Sequence, residues 1–363
     1  MIGQRKDDHV RLAAEQQRAH SGRNQFDEVS FVHHALAGID RSDVSLATTF
    51  AGIAWQVPLY VNAMTGGSTK TGIINRDLAI AAAETGVPLA SGSMSAYFKD
   101  PSCADTFSVL RTRNPDGFVL ANVNANASTE QARRAVDLLR ADALQIHVNT
   151  VQETVMPEGD RSFAAWVPRI QKIADAVDVP VIVKEVGFGL SRETVLMLRE
   201  LGVQVADLGG RGGTDFARIE NGRRELADYA YLHGFGQSTA ACLLDAQGVG
   251  IPVLASGGVR NPLDVARALA LGASGVGVSG GFLRTLLDGG VSALIAQITT
   301  WLDQLAALQT MLGARTPAEL RRCDLTIHGD LRSFCTDRGI DTRPLAQRSR
   351  AVEAPHEPTG TTR

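Results

Sequence analysis

Residues 179–215 read VPVIVKEVGFGLSRETVLMLRELGVQVADLGGRGGTD. A short apolar run leads into a loop with glycines, and apolar residues three and four apart then predict an amphipathic helix. A second apolar run follows and again ends in glycines. Strands that alternate with helices favour parallel pairing, with both faces of the sheet covered. This stretch therefore predicts one repeat of a β/α fold.

The same unit recurs from Pro58 onward. Eight apolar runs are each followed by a polar or glycine-rich loop: VPLYVNAMTGGS, VPLASGS, GFVLANVNAN, ALQIHVNTVQE, VPVIVKEVG, VQVADLGGRGGTD, IPVLASGG and SGVGVSGG. Helical periodicity marks five stretches between them: INRDLAIAAAETG, TEQARRAVDLLRAD, WVPRIQKIADAVD, SRETVLMLRELG and NPLDVARALALGA. Eight units favour a closed (β/α)8 TIM barrel over a doubly wound sheet.

The remaining segments set the predicted domain organisation. Residues 1–57 are predicted as an N-terminal arm with a helical lead-in, 58–312 as the barrel, and 313–363 as a partly flexible C-terminal extension. Residues 216–247 are too long for a simple crossover and predict a helix–loop–helix insertion after strand six. Residues 284–312 are predicted as a long final helix, and the polar tail from about Arg343 as frayed.

Composition narrows the class of protein. Apolar residues make up 44% and charged residues 21%, which is typical of a globular chain. A net charge of −3 gives no basic field, so nucleic acid is not expected as a partner. The start MIGQRKDDHV is too polar for a signal peptide, and no apolar run was found that suggests a membrane helix, so a cytoplasmic location is expected. The four cysteines form no CxxC pair and are expected to be reduced.

The loops after strands seven and eight predict a phosphate site. SGG occurs at 256–258 and again at 279–281, where barrels bind phosphate through glycine amides and a helix N-terminus. GGRGGTDF after strand six adds backbone amides and the hydroxyl of Thr214, and AMTGG after strand one allows a close approach to a flat ring. Together these loops suggest FMN. The alternative is a set of glycine turns that need positive φ.

Lys184 ends a buried apolar strand and is predicted to face an anion at the barrel mouth. Near a flavin it would stabilise the anionic reduced ring, with Asn122 and Ser93 as further hydrogen-bonding groups. A lysine that snorkels at the rim is the alternative interpretation.

The fourth strand and its loop carry an unusual density of polar side chains. Leu144, Ile146 and Val148 are predicted to point outward under the helices, and Gln145, His147 and Asn149 into the barrel. Glu153, beside Gln152, is a candidate magnesium ligand, because a single carboxylate with waters and substrate phosphates is how Mg²⁺ usually binds. A solvated carboxylate and a satisfied core histidine remain the alternatives.

The stretch QRKDDHVRLA, residues 4–13, places cations ahead of the barrel. Arg5, Lys6 and His9 on such an arm could close over a diphosphate. A charged helix start explains this stretch equally well.

Taken together, these motifs resemble the type 2 isopentenyl-diphosphate delta-isomerases, FMN-dependent (β/α)8 enzymes, and the actinobacterial members in particular. The resemblance spans most of the chain and rests on the order and spacing of RKDDH, AMTGG, ANVNA, IHVNTVQE with MPEGDR, PVIVKEVGFG, GGRGGTDFARIENGR and LASGGVRNPLDVARALALGA. It implies conversion of isopentenyl diphosphate to dimethylallyl diphosphate with FMN, Mg²⁺ and NADPH as the reductant of the flavin. It also implies a homotetramer or octamer.

Residue roles follow from the resemblance. Arg5, Lys6 and His9 would bind the diphosphate, with His147 and Asn149 around it, and Glu153 would bind Mg²⁺. Gln152 would lie at the substrate and orient or relay a proton beside reduced FMN. Eleven residues would contact FMN: Ala63, Met64, Thr65, Ser93, Asn122, Lys184, Thr214, Gly257, Gly258, Gly280 and Gly281.

The sequence departs from this family at two places. Many members carry Gln-Arg where this chain has Met94 and Ser95, so the phosphate contact is expected to depend more on Arg5 and Lys6. Many also read Trp-Gly-Ile-Pro-Thr where residues 235–239 read FGQST, which puts the nearby pocket wall in doubt.

The rival function is an FMN-dependent oxidoreductase of the 2-hydroxy-acid oxidase or inosinate dehydrogenase kind, on the same barrel. The first kind needs a His and Arg pair near strand seven. The insertion offers only His233, which is not followed by Gly-Gly-Arg, so this requirement is not met. The second needs a nucleophilic cysteine after strand six, and residues 206–215 contain none.

Overall fold

A computed structural model describes residues 2–19 and 24–352, with side chains for 7–18 and 24–350. The strands are β1 Val29–Phe31, β2 Thr48–Phe50, β3 Ile53–Trp55, β4 Leu59–Val61, β5 Leu89–Ala90, β6 Val119–Asn124, β7 Ala143–His147, β8 Val181–Lys184, β9 Val205–Asp207, β10 Val253–Ser256, β11 Gly275–Val278 and β12 Leu325–Ile327. The α-helices are α1 Ile2–Ala19, α2 Thr69–Thr85, α3 Ser95–Lys99, α4 Asp105–Arg113, α5 Thr129–Leu139, α6 Thr150–Val155, α7 Trp166–Ala174, α8 Arg192–Glu200, α9 Phe216–Asn221, α10 Thr239–Asp245, α11 Pro262–Ala270, α12 Gly280–Leu312 and α13 Gly329–Asp337. Short 3₁₀ helices cover Gln25–Glu28, Arg41–Asp43, Pro101–Cys103, Ala230–Leu232, Glu319–Arg322 and Arg343–Val352.

Strands β4 to β11 form a closed barrel in which each strand pairs in parallel with its sequence neighbour and β11 pairs with β4. These are the eight predicted strands, so the predicted (β/α)8 TIM barrel is confirmed. The predicted helix–loop–helix insertion is also present, as α9, a 3₁₀ turn and α10.

The barrel interior is layered because successive side chains of a strand point to opposite faces. The lower layer is apolar and includes Leu120, Ile182, Val205 and Leu254, closed from below by aromatic residues of the β2–β3 hairpin. The layer above it is polar. Along the register Asn122 lies opposite Gln145, His147 opposite Lys184, and Lys184 opposite Asp207. The polar layer therefore lies at the carboxyl ends of the strands.

The predicted orientation of β7 is confirmed. Leu144 and Ile146 are fully buried in the large apolar cluster between strands and helices, and Val148 packs against that cluster. Gln145 instead bonds to Asn62, which directly follows β4, and His147 bonds to Asn122 of β6.

The C-terminal part of the chain departs from the prediction. Helix α12 covers 284–312, but it begins at Gly280, contains a break at Gly290 and is not the last helix. β12 pairs with β1, and α13 follows. The prediction of a tail frayed from Arg343 is wrong as far as Val352: Arg348 donates to the carbonyl of Ala270, and Ser349 donates to Asp324. Such contacts join distant segments, so local polarity did not reveal them.

By length and composition alone, α12 is apolar enough to cross a membrane, which the sequence analysis did not anticipate. A core helix of a soluble protein passes the same test. In this chain α12 packs against α2, α11 and α1. All four cysteines are free thiols, as expected.

Candidate active site

The loops at the carboxyl ends of the eight strands enclose one cavity. All eleven residues predicted to contact FMN line it, and so do His9, His147, Asn149, Gln152 and Glu153. Arg5 and Lys6 belong to α1, but their side chains lie outside the described part of the chain, so their predicted diphosphate contact stays a prediction. The sequence therefore identified part of the cavity wall.

A hydrogen-bond network crosses the polar layer beneath this cavity. The buried carboxyl of Asp207 accepts from the hydroxyl of Tyr60 at 2.6 Å, from Nδ2 of Asn62 at 2.9 Å and from the hydroxyl of Ser256 at 2.6 Å. Gln145 donates to Oδ1 of Asn62 at 3.3 Å. The network joins four strands, β4, β7, β9 and β10, and holds the cavity floor rigid.

His147 and Asn122 extend this network to the cavity. Nδ1 of His147 lies 2.8 Å from Oδ1 of Asn122, whose Nδ2 donates to Gln145 at 3.1 Å. Since an amide oxygen only accepts, Nδ1 of His147 is the protonated nitrogen. This bond fixes the ring orientation.

Gln152 is fixed from two sides. Nδ2 of Asn149 donates to Oε1 of Gln152 at 3.1 Å, and Nε2 of Gln152 donates to Oε1 of Glu220 at 2.9 Å. Glu220 was not predicted from the sequence as a site residue, although it lies in the motif GGRGGTDFARIENGR. A fully buried glutamate in the insertion was detectable only once the fold placed it beside Gln152.

Glu220 is the centre of a charged cluster behind two residues of the cavity wall, His9 and Gln152. Burial raises the pKa of its carboxyl, but contacts with His9, Gln152 and Arg223 outweigh burial, and the pKa lies below its ordinary value. Nε2 of His9 is 3.0 Å from Oε1 of Glu220, at ion-pair distance but without hydrogen-bond geometry. This contact brings His9 of α1 into the same cavity.

Both carboxylate oxygens of Glu153 have protein partners. Nδ2 of Asn149 donates to Oε1 at 3.1 Å, and the backbone N–H of Asp160 donates to Oε2 at 2.8 Å. Among the described residues no three His, Cys, Asp or Glu side chains form a metal cluster. One carboxylate with waters and phosphates remains a donor set suited to Mg²⁺.

Lys184 is buried, with only 6% of its surface exposed, which contradicts the alternative of a snorkelling rim lysine. Its Nζ donates to the main-chain oxygen of Glu185 at 2.8 Å, and burial lowers its pKa. Burial also raises the pKa of Glu185 to about 7, although Oε2 accepts backbone N–H bonds from residues 186–189. These two titratable groups lie side by side in the cavity wall.

The loops after β10 and β11 leave room for a bound group. Gly257 has φ +95°, and a Cβ there would lie 1.9 Å from the main-chain oxygen of Gly210. Gly280 and Gly281 begin α12, whose N-cap Ser279 makes no side-chain capping bond. A helix start exposes free N–H groups, so this end of α12 is suited to an anion.

Two residues of the cavity wall have unpartnered polar atoms. Oγ1 of Thr65 and Oδ1 of Asn149 are buried and have no hydrogen-bond partner among the described residues. Both residues line the cavity. Buried polar groups are normally satisfied, so these atoms, the glycine-lined loops and the uncapped helix start together fit a bound cofactor and ligand.

The two sequence departures have different outcomes. Met94 is fully buried and packs in the core, whereas Ser93 and Ser95 line the cavity. None of residues 235–239 is among the described lining residues, so the departure at these positions does not change a described residue of the cavity wall. Thr239 instead donates from behind to the main-chain oxygens of Ser256 and Gly257, both at 2.7 Å.

Comparison with known proteins agrees with this geometry. Residues 105–326 match the model of a family described as FMN-dependent dehydrogenase. The chain is 76% identical over 360 residues to an isopentenyl-diphosphate delta-isomerase of Streptomyces sp. (strain CL190), covering 99% of each chain. It belongs to this isomerase family. A relative of the same name from Kitasatospora griseola is 77% identical over 99% of both chains, and one from Nocardia farcinica is 63% identical over 96% of this chain and 97% of that one.

These relatives confirm the predicted resemblance to the isomerase family, and to its actinobacterial members in particular. Solved structures support the fold alone. A mutant flavocytochrome b2 with benzoylformate has a TM-score of 0.65 and 22% identity, covering 98% of this chain and 86% of its own. A mandelate oxidase mutant with benzaldehyde has a TM-score of 0.60 and 16% identity, covering 89% and 94%.

Proposed function

We propose that this protein converts isopentenyl diphosphate to dimethylallyl diphosphate with bound FMN and Mg²⁺. The observation that carries the proposal is the Gln152 amide, held between Asn149 and Glu220 in the same cavity as the glycine loops after β10 and β11. In this reaction the terminal carbon gains a proton and the internal methylene loses one, so the double bond moves and no net electrons are consumed.

The loops at the mouth of the barrel would hold FMN. Its phosphate fits the N–H groups of Gly257, Gly258, Gly280 and Gly281, and its ring fits the wall formed by residues 63–65, Ser93, Asn122 and Thr214. Lys184 would place its ammonium beside the ring, where a buried cation stabilises negative charge. Reduced FMN supplies acid–base and electrostatic chemistry at an alkene, and NADPH would serve as its reductant.

The side chains around β7 would bind and orient the substrate. Gln152, with its amide direction set by Asn149 and Glu220, would orient or relay a proton at the reacting carbons. His147 and Asn149 would contact the diphosphate together with His9, Arg5 and Lys6. Glu153 would hold Mg²⁺, and the metal would supply positive charge to neutralise the diphosphate.

The rival oxidoreductase is disfavoured by the cavity itself. His233, the histidine that a hydroxy-acid oxidase would need, is exposed and is not among the described lining residues. No cysteine is among them either, so the nucleophile of an inosinate dehydrogenase is missing from the described wall.

Assembly and location complete the proposal. We expect a cytoplasmic homotetramer or octamer, without nucleic acid or a membrane as partner. Multi-angle light scattering would give the mass, and a monomer would contradict both assemblies.

The decisive assay is anaerobic incubation with FMN, Mg²⁺, NADPH and isopentenyl diphosphate. We expect dimethylallyl diphosphate, deuterium uptake from D₂O, and far less NADPH consumed than product formed. Gln152→Asn and Glu153→Gln should both lower turnover, and unchanged turnover in both would refute the site assignment. Consumption of one NADPH per product would favour the oxidoreductase. Full activity with 5-deaza-FMN would refute acid–base participation of the flavin.

A further inference from the structure

A second cavity lies at the opposite end of the barrel from the active site. It is formed by residues 246–252 ahead of β10, residues 270–274 ahead of β11, residues 47–50 with β2, and residues 316–318, with Arg321 and Arg348 at its wall. We call it the basal cavity. Loops that precede barrel strands lie at the amino end, away from the carboxyl-end catalytic loops. None of the described residues that line the basal cavity also lines the active site.

Two arginines from the C-terminal part of the chain meet in the basal cavity. Nη2 of Arg321 donates to the main-chain oxygens of Gly272 at 2.9 Å and Ala273 at 3.2 Å. Nη1 of Arg348 donates to the main-chain oxygen of Ala270 at 2.7 Å. Each guanidinium has five N–H donors, so both keep donors that these carbonyls do not use.

Neither arginine forms an ion pair with a described carboxylate. The described lining of the basal cavity contains no Asp or Glu. Burial lowers the pKa of the Arg348 guanidinium, and the neighbouring charge of Arg321 lowers it further. Asp324 acts on Arg348 only at a distance, because Ser349 and His34 bind its carboxylate.

The positive charge continues into an adjoining recess. Arg321 and Arg348 also line it, together with Arg322 and Arg343. Its only described acid, Asp341, is paired with Arg343 at 2.7 Å. Arg321 is exposed and Arg348 is half-buried, so a ligand from solvent can reach both.

The other walls of the basal cavity are of two kinds. Hydroxyls come from Thr49, Ser274 and Thr316, whereas the hydroxyl of Thr48 donates to the main-chain oxygen of Ser274. Apolar surface comes from Phe50, Leu243, Val249, Ile251, Pro252 and Leu271. Cations and hydroxyls match phosphate oxygens, and the aliphatic wall matches a hydrocarbon.

We propose that the basal cavity is a second binding site, which takes an organic phosphate or diphosphate with an apolar body. The phosphate lies between Arg321 and Arg348, and the hydrocarbon lies against Ile251 and Leu271. This site is independent of the proposed isomerase function, because it shares no described lining residue with the active site.

Octyl phosphate, which has an anionic head and an alkyl chain, is the probe. Isothermal titration calorimetry of the FMN-loaded protein should give a Kd at least about tenfold lower than that of inorganic phosphate, because the chain buries apolar surface. Arg321→Gln with Arg348→Gln should weaken octyl phosphate binding at least about tenfold. Arg321→Lys with Arg348→Lys should restore part of the affinity. Arg332→Gln, an exposed arginine of α13 outside the cavity, is the matched control and should bind like the wild type.

The double glutamine variant should keep isomerase turnover, which shows that its fold and active site are intact. Equal affinity in the wild type and this variant would overturn the proposal. A second measurement needs no variant: an alkyl phosphate with a diazirine should label residues 246–252 or 270–274 of the wild-type protein. Labelling confined to other segments would also overturn the proposal.

Discussion

Nε2 of Gln152 donates a hydrogen bond to Oε1 of Glu220 at 2.9 Å, between residues 68 positions apart in the chain. Glu220 is fully buried, and its lowered pKa keeps it an anionic acceptor. Because a carboxylate only accepts, it forces the Gln152 amide to present Nε2 to the insertion and Oε1 to Asn149. The orientation of the proposed proton-handling side chain is therefore set by a positioning residue.

Glu220→Gln should lower kcat by about ten- to a hundredfold, since a neutral amide accepts or donates and no longer fixes the direction of Gln152. KM for isopentenyl diphosphate and the affinity for FMN should change little. Steady-state kinetics and flavin titration separate these effects. Asp228→Asn, an exposed acid of the same insertion, should behave like the wild type. A raised KM with unchanged kcat would assign Glu220 to substrate binding instead.

The barrel and part of the active-site wall were predictable because both depend on local patterns. Each strand is an apolar run of a few residues, and the loop after it must lie at the carboxyl edge, so Lys184 and His147 were placed without knowledge of packing. Glu220 was not predictable, because its role depends on a contact made by folding the insertion back onto α6. The pairing of β12 with β1 likewise joins segments about 300 residues apart.

Glu153→Gln should raise the Mg²⁺ concentration for half-maximal activity by at least about tenfold, because the amide oxygen carries no charge for the cation. The backbone contact from Asp160 can persist, so the fold should be retained. Magnesium titration of activity measures the shift. Glu130→Gln, an exposed acid of α5, is the control. An unchanged magnesium requirement would remove Glu153 from the metal site.

Lys99 of α3 is an exposed cation that lines the active-site cavity and forms no ion pair among the described contacts. Lys99→Met should raise KM for the diphosphate substrate by about five- to tenfold with little change in kcat, because one charge–phosphate contact is lost. The salt dependence of kcat/KM should also weaken. Lys172→Met on α7 is the matched control. Equal KM values for the Lys99 variant and this control would exclude a role for Lys99.

Tyr60→Phe should destabilise the protein by about 1–3 kcal/mol, because it removes one donor from the buried carboxyl of Asp207. Burial holds the pKa of Tyr60 well above its ordinary value, so its hydroxyl remains a donor at any ordinary pH. Urea unfolding of the FMN-free protein measures the loss. Tyr231→Phe, at an exposed tyrosine, should cost much less, and an equal loss in both variants would contradict the role assigned to the network.

Glu185 should make stability depend on pH. Burial raises its pKa from the ordinary 4.5 to about 7 in the folded protein. Between these two values the folded chain keeps the proton while the unfolded chain releases it, so the free energy of unfolding falls as pH rises and becomes level above about pH 7. Glu185→Gln removes this titration. Its stability relative to the wild type should therefore increase by on the order of 1–3 kcal/mol across the window. Urea unfolding at several pH values, with Glu225→Gln as an exposed control, checks this, and identical pH slopes in the wild type and Glu185→Gln would contradict it.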